Sequence, residues 1–425
     1  MPTEIEGVTV RTASSVQAAK PDGSQLDAQF ALYRRFVPLA EEVTYLNASF
    51  APPSNLIVHE AITRYSHEAL HSPTPKPGWQ EAAQDVRELL ARYINADPTS
   101  LAITRDTTEG LNSFIQGLEL KAGDNVVVLD SEHPNHVYGW MALRAKGVEV
   151  RQVPTMVEAR ATGCVVAATA ATFAPCVDAN TRAIGISSVM FHSGQWNDVG
   201  DICATYRPKG IHVLVDCTQQ VGFADIDVRA WSCSAAAFSC HKGLNAPTGF
   251  AALYVDPDVI GNIGPIPPIV GYGAVSNVRE DLLVPADDLV FHPSARRYEH
   301  LNMSLIAAAA AKAFLGFYLD TMGPENVKEH LYRLGDALRA ECRALGIPVV
   351  GPEDRQSHAP HLYILDLQDP KWSELLRETN IYVTTYRLGI RVSFGFYNNT
   401  ADVKRLAEVL AGGVTAGIPI TSWSK

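Results

Sequence analysis

Between residue 100 and about 260, short apolar runs alternate with stretches of helical periodicity. The runs 125–129, 148–153, 183–187, 212–215 and 251–255 read as buried strands. Strands separated by helices predict a mostly parallel sheet covered on both faces. Upstream, helical patterning starts near Ala28, 43–47 is strand-like, 48–53 is a Pro-containing loop, and 81–93 carries apolar residues at helical spacing. Downstream the rhythm changes. Helical stretches at 304–319 and 324–345 lead into strand-like runs at 361–365, 381–385 and 390–394, then a helix from about 400 to 410. The pattern predicts an α/β chain with three parts: a polar, mobile arm over 1–28, a large domain over 29–300 and a small α+β domain over 301–425. The N-terminal end of the large region contributes to the small domain.

Composition narrows the class. The chain has 425 residues, 47% hydrophobic and 19% charged, which is ordinary for a soluble enzyme with a large core. Net charge is −11 and the basic residues are scattered, which argues against nucleic acid as a partner. The apolar run 304–319 is short for a membrane span and contains Lys312, so it reads as a buried helix and no membrane partner is expected. The N-terminus lacks a basic-then-apolar signal pattern. Seven cysteines without metal-like spacing predict free thiols, no metal centre and a cytoplasmic protein.

The chemistry gathers at strand ends, where ligands bind in open α/β sheets. The segment 235–255 reads as strand, polar turn carrying Lys242, Gly/Pro loop and strand. Desolvation on such a turn favours a neutral amine, and a neutral amine can form a Schiff base. Val213-Leu-Val-Asp216 puts a carboxylate at the end of a buried strand. A lysine Schiff base with a carboxylate for a pyridinium nitrogen is what proteins supply to pyridoxal phosphate (PLP). The interval from Asp216 to Lys242 is long enough for one crossover and a return strand. The plain alternative is a surface lysine and a turn-starting aspartate.

Three further segments fit the same site. Thr104-Arg-Asp-Thr107-Thr108 precedes a helical run, where hydroxyls and backbone N–H groups can cradle a phosphate; helix capping is the simpler explanation. His133 follows a strand and can stack on a flat cofactor and carry protons. Arg391 sits alone on an apolar strand, where its planar fork needs an anionic partner such as an amino-acid carboxylate or a structural ion pair.

Together these segments resemble the class V aminotransferase family, a branch of the fold-type-I PLP-dependent transferases that includes cysteine desulfurases, isopenicillin-N-epimerase-like enzymes and cysteine-conjugate lyases. The resemblance spans roughly residues 40 to 412. Its most specific parts are Val215-Asp216-Cys-Thr-Gln219-Gln-Val-Gly222 and Ser239-Cys-His241-Lys242-Gly243. It implies a large domain with a mostly parallel central sheet, a small C-terminal domain and a homodimer. It also implies that Lys242 carries the cofactor, Asp216 pairs with its ring nitrogen, Gln219 with its ring oxygen, and His133 stacks on the ring. Thr107, Thr108, Ser239 and His241 would bind the phosphate, and Arg391 the substrate carboxylate. Asn302 lies where the family often has a Thr that reaches the partner subunit's phosphate.

One departure shapes the expected reaction. Desulfurases of this family carry a cysteine shortly before the matching Arg, whereas no cysteine lies between Cys342 and Arg391. A lyase on a β-substituted amino acid, such as C–S cleavage in a cysteine conjugate, is therefore expected. An aminotransferase or epimerase is the first alternative, and decarboxylative or carbon–carbon bond-forming chemistry the next. Intact Lys242, Asp216 and Arg391 argue against a silent binding protein.

Overall fold

The computed structural model describes residues 4–5, 8–9 and 22–424, apart from 265, 282 and 285–287. Most of the expected polar arm lies outside the described residues. Its last part does not behave as an arm: Asp22 accepts from the backbone N–H of Ser24 and Gln25 and caps the helix Gly23–Arg34. Leu26 and Phe30 bury one side of that helix. The helix thus begins upstream of Ala28, because a capping box is a local polar signal that apolar periodicity does not report.

The large domain is built on seven strands: β1 (Leu101–Thr104), β2 (Asn125–Leu129), β3 (Glu149–Val153), β4 (Thr181–Ser187), β5 (His212–Asp216), β6 (Ala235–Ser239) and β7 (Ala251–Val255). Their spatial order is β1-β7-β6-β5-β4-β2-β3. The pairs from β3 through β6 are parallel. β7 runs antiparallel to both β6 and β1. The reason is the connection: residues 240–250 are too few for a helical crossover, so the chain turns straight back. Residues of β1, β2, β6 and β7 are buried on both faces, which explains their unbroken apolar runs.

A second sheet of four antiparallel strands follows: β8 (Val349–Val350), β9 (Leu362–Leu365), β10 (Thr384–Tyr386) and β11 (Gly389–Ser393), in the order β8-β9-β11-β10. The run expected as one strand over 381–385 is split. Ile381–Tyr382 pairs in parallel with Thr44–Tyr45 from near the N-terminus, and only then does the chain join β11. Arg34 reinforces this junction through Asp402, at 2.7 Å, and the carbonyl of Tyr397.

The stretch Leu305–Met322 is the one helical stretch among the described residues long and apolar enough to cross a membrane. Here it is a core element. Ala307, Ala308, Ala311 and Phe314 are buried, it packs against Leu56–His71 and Lys76–Tyr93, and Lys312 pairs with Asp85.

Candidate active site

The carboxyl ends of β4, β5 and β6 open into one cavity of about 390 Å³. Lys242 and Asp216 both line it. Two glycines make that meeting possible. Gly222, after the Asp216 turn, has φ +77, and a Cβ there would lie 2.2 Å from the carbonyl carbon of Gly243. A Cβ on Gly243 would lie 2.4 Å from the carbonyl oxygen of Val221. Backbone therefore touches backbone, drawing the two turns together as no side chain would allow.

Lys242 keeps part of its surface, and that surface faces the cavity. Burial pushes its amine down to about 8, against the pull of the Asp216 carboxylate and with Arg391 adding to the fall. Asp216 is buried, and one of its oxygens accepts from the Thr218 N–H at 2.9 Å. His133 caps the helix Pro134–Ala142 by accepting from the Asn135 N–H and lies edge-on to Phe191, with centroids 5.0 Å apart. Burial lowers its pKa, so neutral imidazole is favoured, although Asp216 opposes the shift.

A cluster of hydroxyls closes one end. Thr107 begins the helix Thr107–Gly117, and its N–H donates to the Ser239 Oγ at 2.9 Å. The Thr107 Oγ1 lies 2.7 Å from that of Thr218 and 2.8 Å from the Ser239 Oγ. Thr108 and His241 complete the lining there, and burial and the Lys242 charge push His241 down to about 4. A helix N-terminus carrying hydroxyls is suited to a phosphate. Asp106 also lines this end, but one of its oxygens caps the helix through the Glu109 N–H.

Arg391 also lines the cavity. It is 1% exposed, and only one of its nitrogens is engaged, donating to the Phe191 carbonyl at 3.0 Å. Its Nε and Nη2 have no partner among the described residues. An uncompensated buried guanidinium is costly, so a ligand anion there has a strong physical rationale. Gln219 donates to the Ser49 carbonyl at 3.2 Å, while its side-chain oxygen is buried without a partner among the described residues.

Nine of the ten residues expected in the site thus line one cavity. Asn302 does not: it lies on an exposed segment outside the cavity of its own chain. Sequence reasoning missed Ser49, Phe50, Thr218 and Tyr386. Thr218 sits inside the Asp216 segment and was open to the same reasoning. Ser49 and Phe50 come from a loop far upstream, delivered by pairing with the small domain.

The donors present fit PLP. A depressed lysine amine, a buried carboxylate, a hydroxyl-lined helix start and orphaned polar atoms on Gln219 and Arg391 meet its aldehyde, pyridine, phosphate and amino-acid partner in one space. The family model for aminotransferase class-V matches residues 53–406. An uncharacterized aminotransferase of Schizosaccharomyces pombe is 47% identical over 396 residues, covering 92% of this chain and 98% of the relative. A probable cysteine desulfurase of Methanothermobacter thermautotrophicus is 27% identical over 401 residues, covering 89% and 96%. Among solved structures, the cystine C–S lyase C-DES in complex with cysteine persulfide superposes with a TM-score of 0.78 at 23% identity, covering 88% of this chain and 98% of that one. A C-DES variant with glycine covalently linked to its PLP cofactor gives 0.80 at 22%, covering 89% and 98%. The chain belongs to the class V aminotransferase family and is a PLP-dependent enzyme.

Proposed function

We propose that this protein is a lyase acting on a β-substituted α-amino acid, cleaving the C–S bond of a cysteine conjugate. The observation that carries the reading is the half-uncommitted Arg391 guanidinium, which shares with Lys242 a cavity that no cysteine lines. When bound, PLP supplies an electron sink for a bond broken at Cα. Arg391 binds the α-carboxylate and so fixes which Cα bond is presented. Lys242 would hold the cofactor, and its amine, near 8, is suited to accepting the α-proton. Asp216 would hold a proton at the pyridine nitrogen, Gln219 would bind the ring oxygen, and His133 would pack on the ring. Thr107, Thr108, Ser239 and His241 would hold the phosphate.

The thiols support elimination over sulfur transfer. Cys217 and Cys240 flank the site, yet both are fully buried. Burial pushes the Cys240 thiol up to about 12 and Cys217 higher still. Neither offers the thiolate that a persulfide carrier requires. The expected reaction consumes an S-substituted cysteine and water and yields a thiol, pyruvate and ammonia. An aminotransferase is the second reading, favoured by the designation of the 47%-identical relative.

A homodimer belongs to the same proposal. Exposed apolar side chains concentrate in one segment, with Ile266, Tyr272, Leu283, Val284 and Val290 each more than half exposed. A patch of this kind marks a contact surface, and a two-fold dimer is the commonest solution. Asn302 follows that segment, so a phosphate contact by Asn302 would be made to a second copy.

The test supplies cysteine and S-alkyl cysteines separately to the holoenzyme and measures thiol, pyruvate, ammonia and protein persulfide. Equal thiol and pyruvate from the conjugates supports the lyase. Turnover only with an added keto acid replaces it with the aminotransferase.

A further inference from the structure

A second cavity, of about 430 Å³, abuts the active site. The two share Phe191 and Tyr386, whose rings meet edge-on with centroids 5.7 Å apart. This aromatic pair is the wall between them. Beyond it the lining is largely apolar, from Leu129, Pro134, Val137 and Met141. Two polar groups stand out. Arg387, at the exposed turn between β10 and β11, makes no ion pair among the described residues. His192 is fully buried, and neither of its ring nitrogens has a partner among the described residues.

The cavity also contains two carboxylates, and both accept hydrogen bonds from nearby groups. Asp130 accepts from the Thr155 hydroxyl and the Met156 N–H, at 2.8 and 2.9 Å. Glu132 accepts from the N–H and hydroxyl of Ser187 and faces buried His136 at 3.6 Å. The rest of the lining is Tyr138 and Gln152, so the cavity sets a largely apolar wall beside one cation, Arg387.

We infer that this cavity receives the distal part of the substrate side chain and that its Arg387 selects a terminal carboxylate. The inference rests on the amino-acid reading of the neighbouring site. Arg391 takes the α-carboxylate on one side of the Phe191–Tyr386 wall, and the side chain passes that wall to reach Arg387 on the other. Apolar methylenes would lie along Pro134, Val137 and Met141. The preferred substrate is then a long amino acid that is apolar in its middle and anionic at its end.

The experiment follows the visible spectrum of the PLP-loaded enzyme as three amino acids are titrated in: glycine, 2-aminoheptanoate and 2-aminopimelate. The last two differ in a terminal methyl against a terminal carboxylate. The expected result is that 2-aminopimelate binds about fivefold more tightly than 2-aminoheptanoate, the scale of one partly exposed ion pair. Arg387→Gln should abolish that preference while leaving the glycine response and 2-aminoheptanoate affinity unchanged, and Arg387→Lys should restore part of it. Equal affinity of the two long amino acids, with glycine still binding, overturns the inference alone. A preference that survives in Arg387→Gln also overturns it. No response to glycine or either long amino acid overturns the amino-acid site itself, and this inference with it.

Discussion

The guanidinium carbon of Arg391 lies 4.6 Å from the centroid of the Tyr386 ring, stacked on its face. This contact and the Phe191 carbonyl hold the arginine in place while leaving two of its nitrogens uncommitted. A cation fixed by an aromatic face and one carbonyl is preorganised for a carboxylate.

Arg391→Ala should therefore weaken amino-acid binding by about 2–5 kcal/mol, as expected for loss of one partner of a buried charged pair. The spectrum of the bound cofactor without substrate should be unchanged. A titration of amino acid followed by absorbance checks both halves. Unaltered affinity would mean that the α-carboxylate binds elsewhere.

Lys242 predicts a pH dependence. Its amine titrates near 8 in the cofactor-free protein, below the ordinary 10.5. The protonated form is not a nucleophile, so cofactor attachment should speed up with rising pH and level off above about 8. An unperturbed lysine would keep accelerating toward pH 10. Stopped-flow absorbance of PLP added to the cofactor-free enzyme distinguishes the two profiles. Borohydride should fix the cofactor to the peptide containing Lys242 and leave none fixed in Lys242→Ala.

Asp216→Asn should retain cofactor yet lose activity by a factor on the order of 10² or more, because an amide cannot hold the pyridine nitrogen protonated. Cofactor content and turnover should be measured on the same preparation. Turnover at the wild-type rate would remove Asp216 from its assigned role.

Alkylation should separate the cysteines. Cys164 is exposed, whereas Cys217 and Cys240 are buried with raised pKa values. Iodoacetamide at pH 8 should label Cys164 and spare the two beside the site, and Cys240→Ala should keep activity. Peptide mass spectrometry reads the labelling, and rapid modification of Cys240 with loss of activity would reopen sulfur transfer.

Away from the chemistry, Glu299 ties the edge of the large sheet. It is 3% exposed, pairs with buried Arg87, and accepts from the Ile103 N–H of β1 at 2.7 Å. Glu299→Gln leaves Arg87 as an uncompensated buried charge and should cost about 3–5 kcal/mol of stability. Denaturant unfolding of the holoenzyme checks this, with the cofactor spectrum expected to remain intact below the transition.

Much of the site was legible in the sequence because its key residues sit at the ends of strands. Asp216, Ser239 and Lys242 follow apolar runs that form β5 and β6, and parallel pairing carries those ends to one edge. Thr107 and His133 were readable for the same reason, each standing where a strand gives way to a helix. Arg391 was conspicuous as a lone charge in an apolar strand. The start of the first helix was misplaced because Asp22 acts through a cap and not through periodicity.

The sequence by itself determined the alternation of strands and helices, the residue types at each strand end and the missing cysteine before Arg391, since these depend on local spacing and side-chain chemistry. Only the tertiary structure decided that Ser49 and Phe50 enter the cavity, that Tyr386 supports Arg391, and that a second chamber with Arg387 lies behind the Phe191–Tyr386 wall. The physical reason is that these contacts join segments far apart in the chain. Thr44–Tyr45 must first pair with Ile381–Tyr382, and the β10–β11 turn must first pack against Phe191, before any of those side chains share a surface.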